Sequence, residues 1–133
     1  MNQCIELHDS TVSAITETSD SVTVCLRPAY LHRSTGSPGW DAGTVWEQDF
    51  DLTFANATVT KSFTDLPQVV DTGWLDIGAT CYEDCLPLPL VRNEEVKFAA
   101  SGMLGEWLQI QSKGIRISTA REAKYVEEFP GSR

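Results

Sequence analysis

A chain of 133 residues has room for one hydrophobic core, and folding at this length buries roughly two-thirds of the surface that an unfolded chain exposes. Apolar residues make up 41% and charged residues 22%, with four Trp, five Phe and three Tyr as large packing pieces, which excludes disorder of the whole chain. The formal charge of −9 opposes both nucleic acid and anionic membranes and favours a basic protein partner.

No apolar run reaches the 18 or so residues that would suggest a membrane span. The leading MNQCIELHD lacks the basic region and apolar core of a secretory signal, so the expected location is cytoplasmic. Cys4, Cys25, Cys81 and Cys85 are then expected as reduced thiols.

In chain order, residues 4–10 and 11–17 read as two extended pieces joined by a bend at His8, Asp9 and Ser10, because Asp and Ser bond readily to nearby backbone. After a polar turn at 18–21, Val22, Val24 and Leu26 alternate with Thr23, Cys25 and Arg27 as a half-buried strand. Pro28 donates no ladder hydrogen bond, which predicts that this strand stops there or lies on an edge. Residues 31–42, LHRSTGSPGWDA, are expected to form a long loop in which Trp40 folds back as a lid or is offered to a partner.

The chain is organised around residues 43–59, GTVWEQDFDLTFANATV. A period of two places Trp46, Phe50, Leu52 and Phe54 on one side and Glu47, Asp49, Asp51 and Thr53 on the other. A helix would throw Leu52 away from the three aromatics, and the aromatic and β-branched content favours one long strand. At about 3.3 Å per residue its length is on the order of 40 Å, so it must twist strongly or break at a bulge.

Beyond a turn over residues 60–67, residues 69–70 and 74–81 are expected to be extended, with Leu75, Ile77 and Ala79 on one face. The prolines of LPLPL predict a polyproline-like path along the outside over 82–90. Val96, Phe98 and Ala100 share a face, a turn is expected at Ser101 and Gly102, Leu108 and Ile110 share a face, and Lys113-Gly114 reads as a hairpin turn into Ile115 and Ile117. At the end, Thr119 and Glu122 have the spacing of a capping box, but a turn at 119–122 followed by a closing strand over 124–129 is preferred. The fold expected for residues 1–133 is a single all-β domain, an antiparallel sandwich or closed barrel of about eight to ten strands with at most one short helix.

Among chemistry-bearing residues, Glu47, Asp49 and Asp51 form the strongest pattern. Alternate strand residues stand about 6.6 Å apart, and a straight row of carboxylates does not converge on a cation, so a solvated acidic face is expected and no metal site. His8, Asp9 and Ser10 have the residue types of a hydrolytic triad, but consecutive extended residues point to opposite faces, which favours a structural turn. Cys81 and Cys85, as CYEDC, match neither a redox C-x-x-C nor a zinc ribbon and read as ordinary loop thiols. The glycines at 36, 39 and 43 lack the Lys-Ser/Thr pair and following helix of a phosphate loop, and no cofactor is expected.

IELHDSTVSAI at the start and AKYVEEFPG at the finish resemble the ends of a group of small all-β bacterial proteins without assigned activity. The LHDS turn is also similar to that of several all-β immunity proteins of bacterial toxin systems. The resemblance implies an all-β cytoplasmic protein and partner binding, and it supplies no catalytic residues. The leading expectation is a non-enzymatic binding module in which Glu47, Asp49 and Asp51 meet a basic partner, with Trp40 as an anchor and His8 and Asp9 as further contacts. The alternatives are a small-ligand carrier lined by Trp46, Phe50 and Phe54, and a hydrolase or metal-dependent enzyme using His8 and His32.

Overall fold

The computed structural model describes residues 1–62 and 65–132, and among these it contains fourteen strands and no helix, hence none long and apolar enough to cross a membrane. In chain order the strands are β1 (Asn2–Glu6), β2 (Thr11–Glu17), β3 (Ser21–Ser34), β4 (Gly43–Ala55), β5 (Thr58–Ser62), β6 (Gln68–Val69), β7 (Thr72–Ile77), β8 (Thr80–Glu83), β9 (Cys85–Leu88), β10 (Val91–Arg92), β11 (Val96–Gly102), β12 (Gly105–Ser112), β13 (Ile115–Thr119) and β14 (Lys124–Phe129). They form two antiparallel sheets. The first runs β10-β13-β4-β3-β1-β9, with β14 also on β4, β2 on β3 and β6 on β2; the second runs β5-β12-β11-β7-β8. Neither sheet closes into a barrel, and the architecture is a sandwich. The strand number exceeds the expected eight to ten, partly because β6 and β10 are two-residue pieces too short to carry an alternation signal.

The core lies between the sheets. Val22, Val24 and Leu26 of β3 and Phe50, Leu52 and Phe54 of β4 face Leu75 and Ile77 of β7, Phe98 and Ala100 of β11, and Leu108 and Ile110 of β12. The Phe54 and Phe98 rings meet across the sheets at 5.4 Å. Trp46 points to the same side and is half-buried at the margin of this core. There the Arg33 guanidinium lies 4.3 Å over its ring and Tyr125 meets it edge-on.

The long strand expected over 43–59 is two strands. β4 ends at Ala55, Asn56 takes φ +47°, and β5 continues in the second sheet, so this one stretch builds both layers. The turn expected over 60–67 falls partly outside the described residues, and its first positions belong to β5.

Pro28 neither ends its strand nor places it on an edge. β3 runs on to Ser34 between β1, β2 and β4, because Arg27 and Pro28 together oppose the single residue Asp49 in a bulge, where no ladder donor is required. The bulge shifts the alternation by one. Val22, Val24 and Leu26 point inward before it, Ala29 and Leu31 after it, and His32 and Ser34 therefore face outward.

Five further expectations are corrected. Residues 85–88 do not trail along the outside: they form β9 on the edge beside β1, with Leu86 fully buried. The turn placed at Ser101-Gly102 lies at Met103-Leu104, Ala79 belongs to the tight turn between β7 and β8, and Lys113-Gly114 joins strands of different sheets and makes no hairpin. The closing strand β14 is present, but 119–122 does not fold back as a hairpin: β13 and β14 both pair antiparallel with β4, one after the other along the same strand.

Asp84 ties the sheets together at one corner. Its carbonyl accepts from Leu7 N at 2.7 Å, its N–H donates to Gly73 O at 2.8 Å, and its carboxylate accepts from Gly73 N at 2.7 Å. Asp84 holds φ +58°, a conformation Asp tolerates better than most residues.

Candidate functional site

The acidic side of β4 faces away from the core as expected, but its carboxylates have cations within the chain. Asp51 Oδ1 accepts from Arg27 Nη2 at 2.6 Å, while Arg27 Nη1 donates to the carbonyls of Leu26 at 3.0 Å and Phe50 at 2.8 Å. Arg121 Nε lies 3.5 Å from Asp49, and Lys124 stands opposite Glu47 in the ladder. The row therefore does much to anchor the bulge of β3 and the path from β13 to β14.

His8, Asp9 and Ser10 form a turn with Asp9 at φ +66°. Ser10 is buried and donates to Glu6 O at 2.6 Å, so no relay through the three side chains exists. His8 Nδ1 lies 2.5 Å from Asp71 O, a hydrogen bond that raises the imidazole pKa above its usual value. His32 is buried beside Glu6 instead, and no cavity described is lined by both histidines. Trp46, Phe50 and Phe54 line none of those cavities either.

Among the described residues, a groove of about 590 Å³ lies beside the His8-Asp9 turn. Its geometry follows from how residues 68–71 dock. Asp9 N donates to Val70 O and Val70 N to Ser10 O, both at 2.8 Å, and Asp71 N donates to Ser101 O at 2.8 Å, so this segment bridges the turn and the end of β11. Val69, Val70, Trp107 and the β11–β12 turn residues Met103 and Leu104 supply the apolar lining, with Asp9 and Asp71 at the rim. Met103 and Leu104 are 100% and 97% exposed, and Val69 is 56% exposed; apolar side chains so far out of a core and side by side mark an interaction surface more often than scattered ones do. The Trp107 indole N–H is buried in this wall and has no acceptor among the described residues.

A second cluster lies on the outward face of the first sheet, where the loop 35–42 and the tail after β14 cover it. Cys4 pairs with His32 in the β1–β3 ladder and His32 with Val45 in the β3–β4 ladder, while Cys85 enters diagonally from β9. The roof is fastened by Ser34 Oγ donating to Ala42 O at 2.9 Å and Ser132 N donating to Trp40 O at 2.8 Å. Trp40 is thus held in the folded-back loop, yet it remains 52% exposed. Beneath the roof, Cys4 Sγ and Cys85 Sγ are 2.6 Å apart, and Cys4 Sγ donates to Pro38 O at 3.5 Å. His32 Nε2 lies 3.2 Å from Glu6 Oε2, its ring meets Phe129 edge-on, and its Nδ1 is buried without a partner among the described residues. The hydrogen bond shared by the sulfurs pushes the more buried Cys4 thiol up, helped by desolvation, and draws the Cys85 thiol down, helped by His32.

Cys85 is therefore not a loop thiol but a strand residue facing another cysteine, and Cys81 stands apart from it, exposed on β8. Among the described residues no three His, Cys, Asp or Glu side chains are arranged to hold a metal ion. The sandwich and these two clusters are what the chain offers for comparison. No protein-family model, curated protein or solved structure matches it.

Proposed function

We propose that the protein is a non-enzymatic binding module that receives a segment of a basic protein partner, the groove at Val69, Met103, Leu104 and Trp107 taking an apolar side chain and Asp9 and Asp71 meeting its positive charge. The observation that carries this reading is the near-complete exposure of Met103 and Leu104 at the mouth of a 590 Å³ groove with carboxylates at its rim. Burying such side chains against a partner returns about 25 cal/mol for each Å² removed from water, and the rim charges add orientation. The net charge of −9, including Glu47, Asp49 and Asp51, attracts a basic protein over distances set by salt. The likeness of the LHDS turn to that of immunity proteins supports the same role, since this turn carries the Asp9 rim.

A second reading has one observation in its favour. The groove volume falls within the roughly 300–1,000 Å³ typical of small-molecule sites, so an apolar ligand would also fit.

Selection of displayed peptides against the full chain separates the two. A basic-partner site enriches an apolar residue flanked by Lys or Arg. Binding of those peptides weakens as salt rises and falls at least about tenfold in Leu104→Asp, while Asp51→Asn, outside the groove, lowers it by less than about twofold. Binders indifferent to both Leu104→Asp and ionic strength would overturn the reading. Sensitivity to Leu104→Asp without any salt dependence would favour the apolar ligand.

A further inference from the structure

We propose that Cys4 and Cys85 form a dithiol–disulfide couple, with Cys85 as the attacking sulfur, Cys4 as the second thiol, and a low-molecular-weight disulfide as the oxidant. The two residues are 81 positions apart in the chain, yet neighbouring antiparallel strands bring their sulfurs to 2.6 Å. A small change in side-chain torsion from there reaches the bonded separation of about 2.05 Å.

The surroundings divide the roles. Cys4 is 3% exposed beneath Pro38, whereas Cys85, on the edge strand β9, is partly open and is the sulfur a small disulfide meets first. Gly39, at φ +82°, lays its backbone over the pair; a side chain there would begin 3.7 Å from Cys4 Sγ, 3.9 Å from Cys85 Sγ and 3.9 Å from the His32 ring. Two thiols and an imidazole thus converge under one loop. The contact with Cys4 and, after it, His32 favour the anionic form of Cys85, the form that attacks a disulfide, against the opposing effects of burial, Glu6 and Asp84.

The reaction balances in two displacements. Cys85 thiolate attacks one sulfur of the small disulfide, forming a mixed disulfide and releasing one small thiolate. Cys4, its proton passing to a released thiolate, then attacks the Cys85 sulfur and expels the second small thiolate. The two cysteines lose two electrons and two protons, and the small disulfide becomes two thiols. Cys25 and Cys81 take no part: Cys25 stands opposite Asp51 in the β3–β4 ladder and Cys81 opposite Asp76 in the second sheet, and burial at Cys25 and the Asp76 carboxylate at Cys81 disfavour their thiolates.

The test incubates the full chain with graded ratios of oxidised to reduced glutathione, alkylates the remaining thiols and maps the peptides. The expected product has lost two hydrogens, carries a Cys4–Cys85 cross-link and alkyl groups on Cys25 and Cys81, and melts on the order of 10 °C higher than the reduced chain. In Cys4→Ser the reaction stops at a glutathione adduct on Cys85, while Cys85→Ser leaves Cys4 unmodified. The proposal is overturned if the wild-type chain keeps both thiols alkylatable at oxidising ratios, if the cross-link involves Cys25 or Cys81, if the adduct falls on Cys4, or if a bound zinc ion in native mass spectra protects the pair. The wild-type cross-link is decisive even if either serine variant fails to fold.

Discussion

Replacing Arg27 tests whether the bulge in β3 is held from outside. Its guanidinium makes three hydrogen bonds, to the carbonyls of Leu26 and Phe50 and to the Asp51 carboxylate, across the point where the alternation of β3 changes. Hydrogen bonds involving a charged group contribute about 1.5–3 kcal/mol each when buried. Here the side chains of Arg27 and Asp51 are 31% and 32% exposed, and water replaces part of what is lost, so Arg27→Ala is expected to cost about 2–3 kcal/mol in all. Arg27→Lys keeps the charge but presents a single ammonium that cannot span the three acceptors, and it should cost about 1 kcal/mol or more. Asp51→Asn removes only the ion pair and should cost about 1 kcal/mol. Urea denaturation followed by Trp fluorescence reads these values as midpoints. With a slope of roughly 2 kcal/mol per molar, Arg27→Ala moves the midpoint down by about 1–1.5 M at unchanged slope. A loss under about 0.5 kcal/mol for Arg27→Ala would refute the reasoning, since the bulge would then be stable without its brace.

Three further substitutions probe other parts of the fold. Gly73→Ala places a Cβ 2.5 Å from Leu7 Cδ1 and 3.0 Å from Leu7 Cβ; Leu7 is fully buried, so overpacking should cost about 1–3 kcal/mol, and an unchanged denaturation midpoint would show that Leu7 has room to move. Burial raises the Asp84 pKa in the folded chain, so its contribution to stability is complete below the unfolded value and is lost as pH rises through the folded one. Asp84→Asn keeps the acceptor for Gly73 N without the charge. Its melting temperature should equal or exceed that of the wild type at pH 7, the difference shrinking as pH falls towards 4, and a gap that widens on acidification would contradict the shift. Trp107→Phe removes about 40 Å³ of ring, worth about 1 kcal/mol of cavity, but also deletes an unpaired buried donor of similar cost, so stability should change by less than about 1 kcal/mol. A loss above 2 kcal/mol by calorimetry would mean that the indole N–H is paired in solution.

Much of the sandwich is legible in period-two alternation because each sheet buries one face. Trp46, Phe50, Leu52 and Phe54 share the inward side of β4, and the extended reading of 124–129 outweighs its capping-box signal. Pro28 misleads because a residue without an N–H reads as a stop, whereas a bulge is a place inside a sheet where that donor is not needed. Residues 85–88 mislead for a related reason, since an edge strand needs ladder partners on one side only. The groove had a readable signal: Met103-Leu104 is an apolar pair at the tip of a tight turn, where polar residues are usual. The Cys4–Cys85 pair had none, because an 81-residue separation leaves no spacing motif and only the strand order of the first sheet brings the two together.

The outward face of the first sheet shows why the same alternation leads to different chemistry at its two ends. Val45, Glu47, Asp49, Asp51 and Thr53 all lie on it, so side-chain direction alone does not make one end acidic and paired and the other dry. What differs is the cover. Around Asp51 the face is partly open, with the side chain 32% exposed, while the Asp49 side chain, 17% exposed, lies beside the segment after β13, and Arg27 and Arg121 balance the two carboxylates. Around Val45 the loop 35–42 and Phe129 exclude water, and the residues beneath are ones that tolerate this: a valine, two thiols, and a histidine whose carboxylate partner, Glu6, lies at the margin with its side chain 40% exposed. The bulge at Arg27 and Pro28 joins the two regimes. Were the ladder to run unbroken through Arg27 and Pro28, Leu31 would point under the roof and His32 into the core, so the bulge sets which side chains lie beneath the roof.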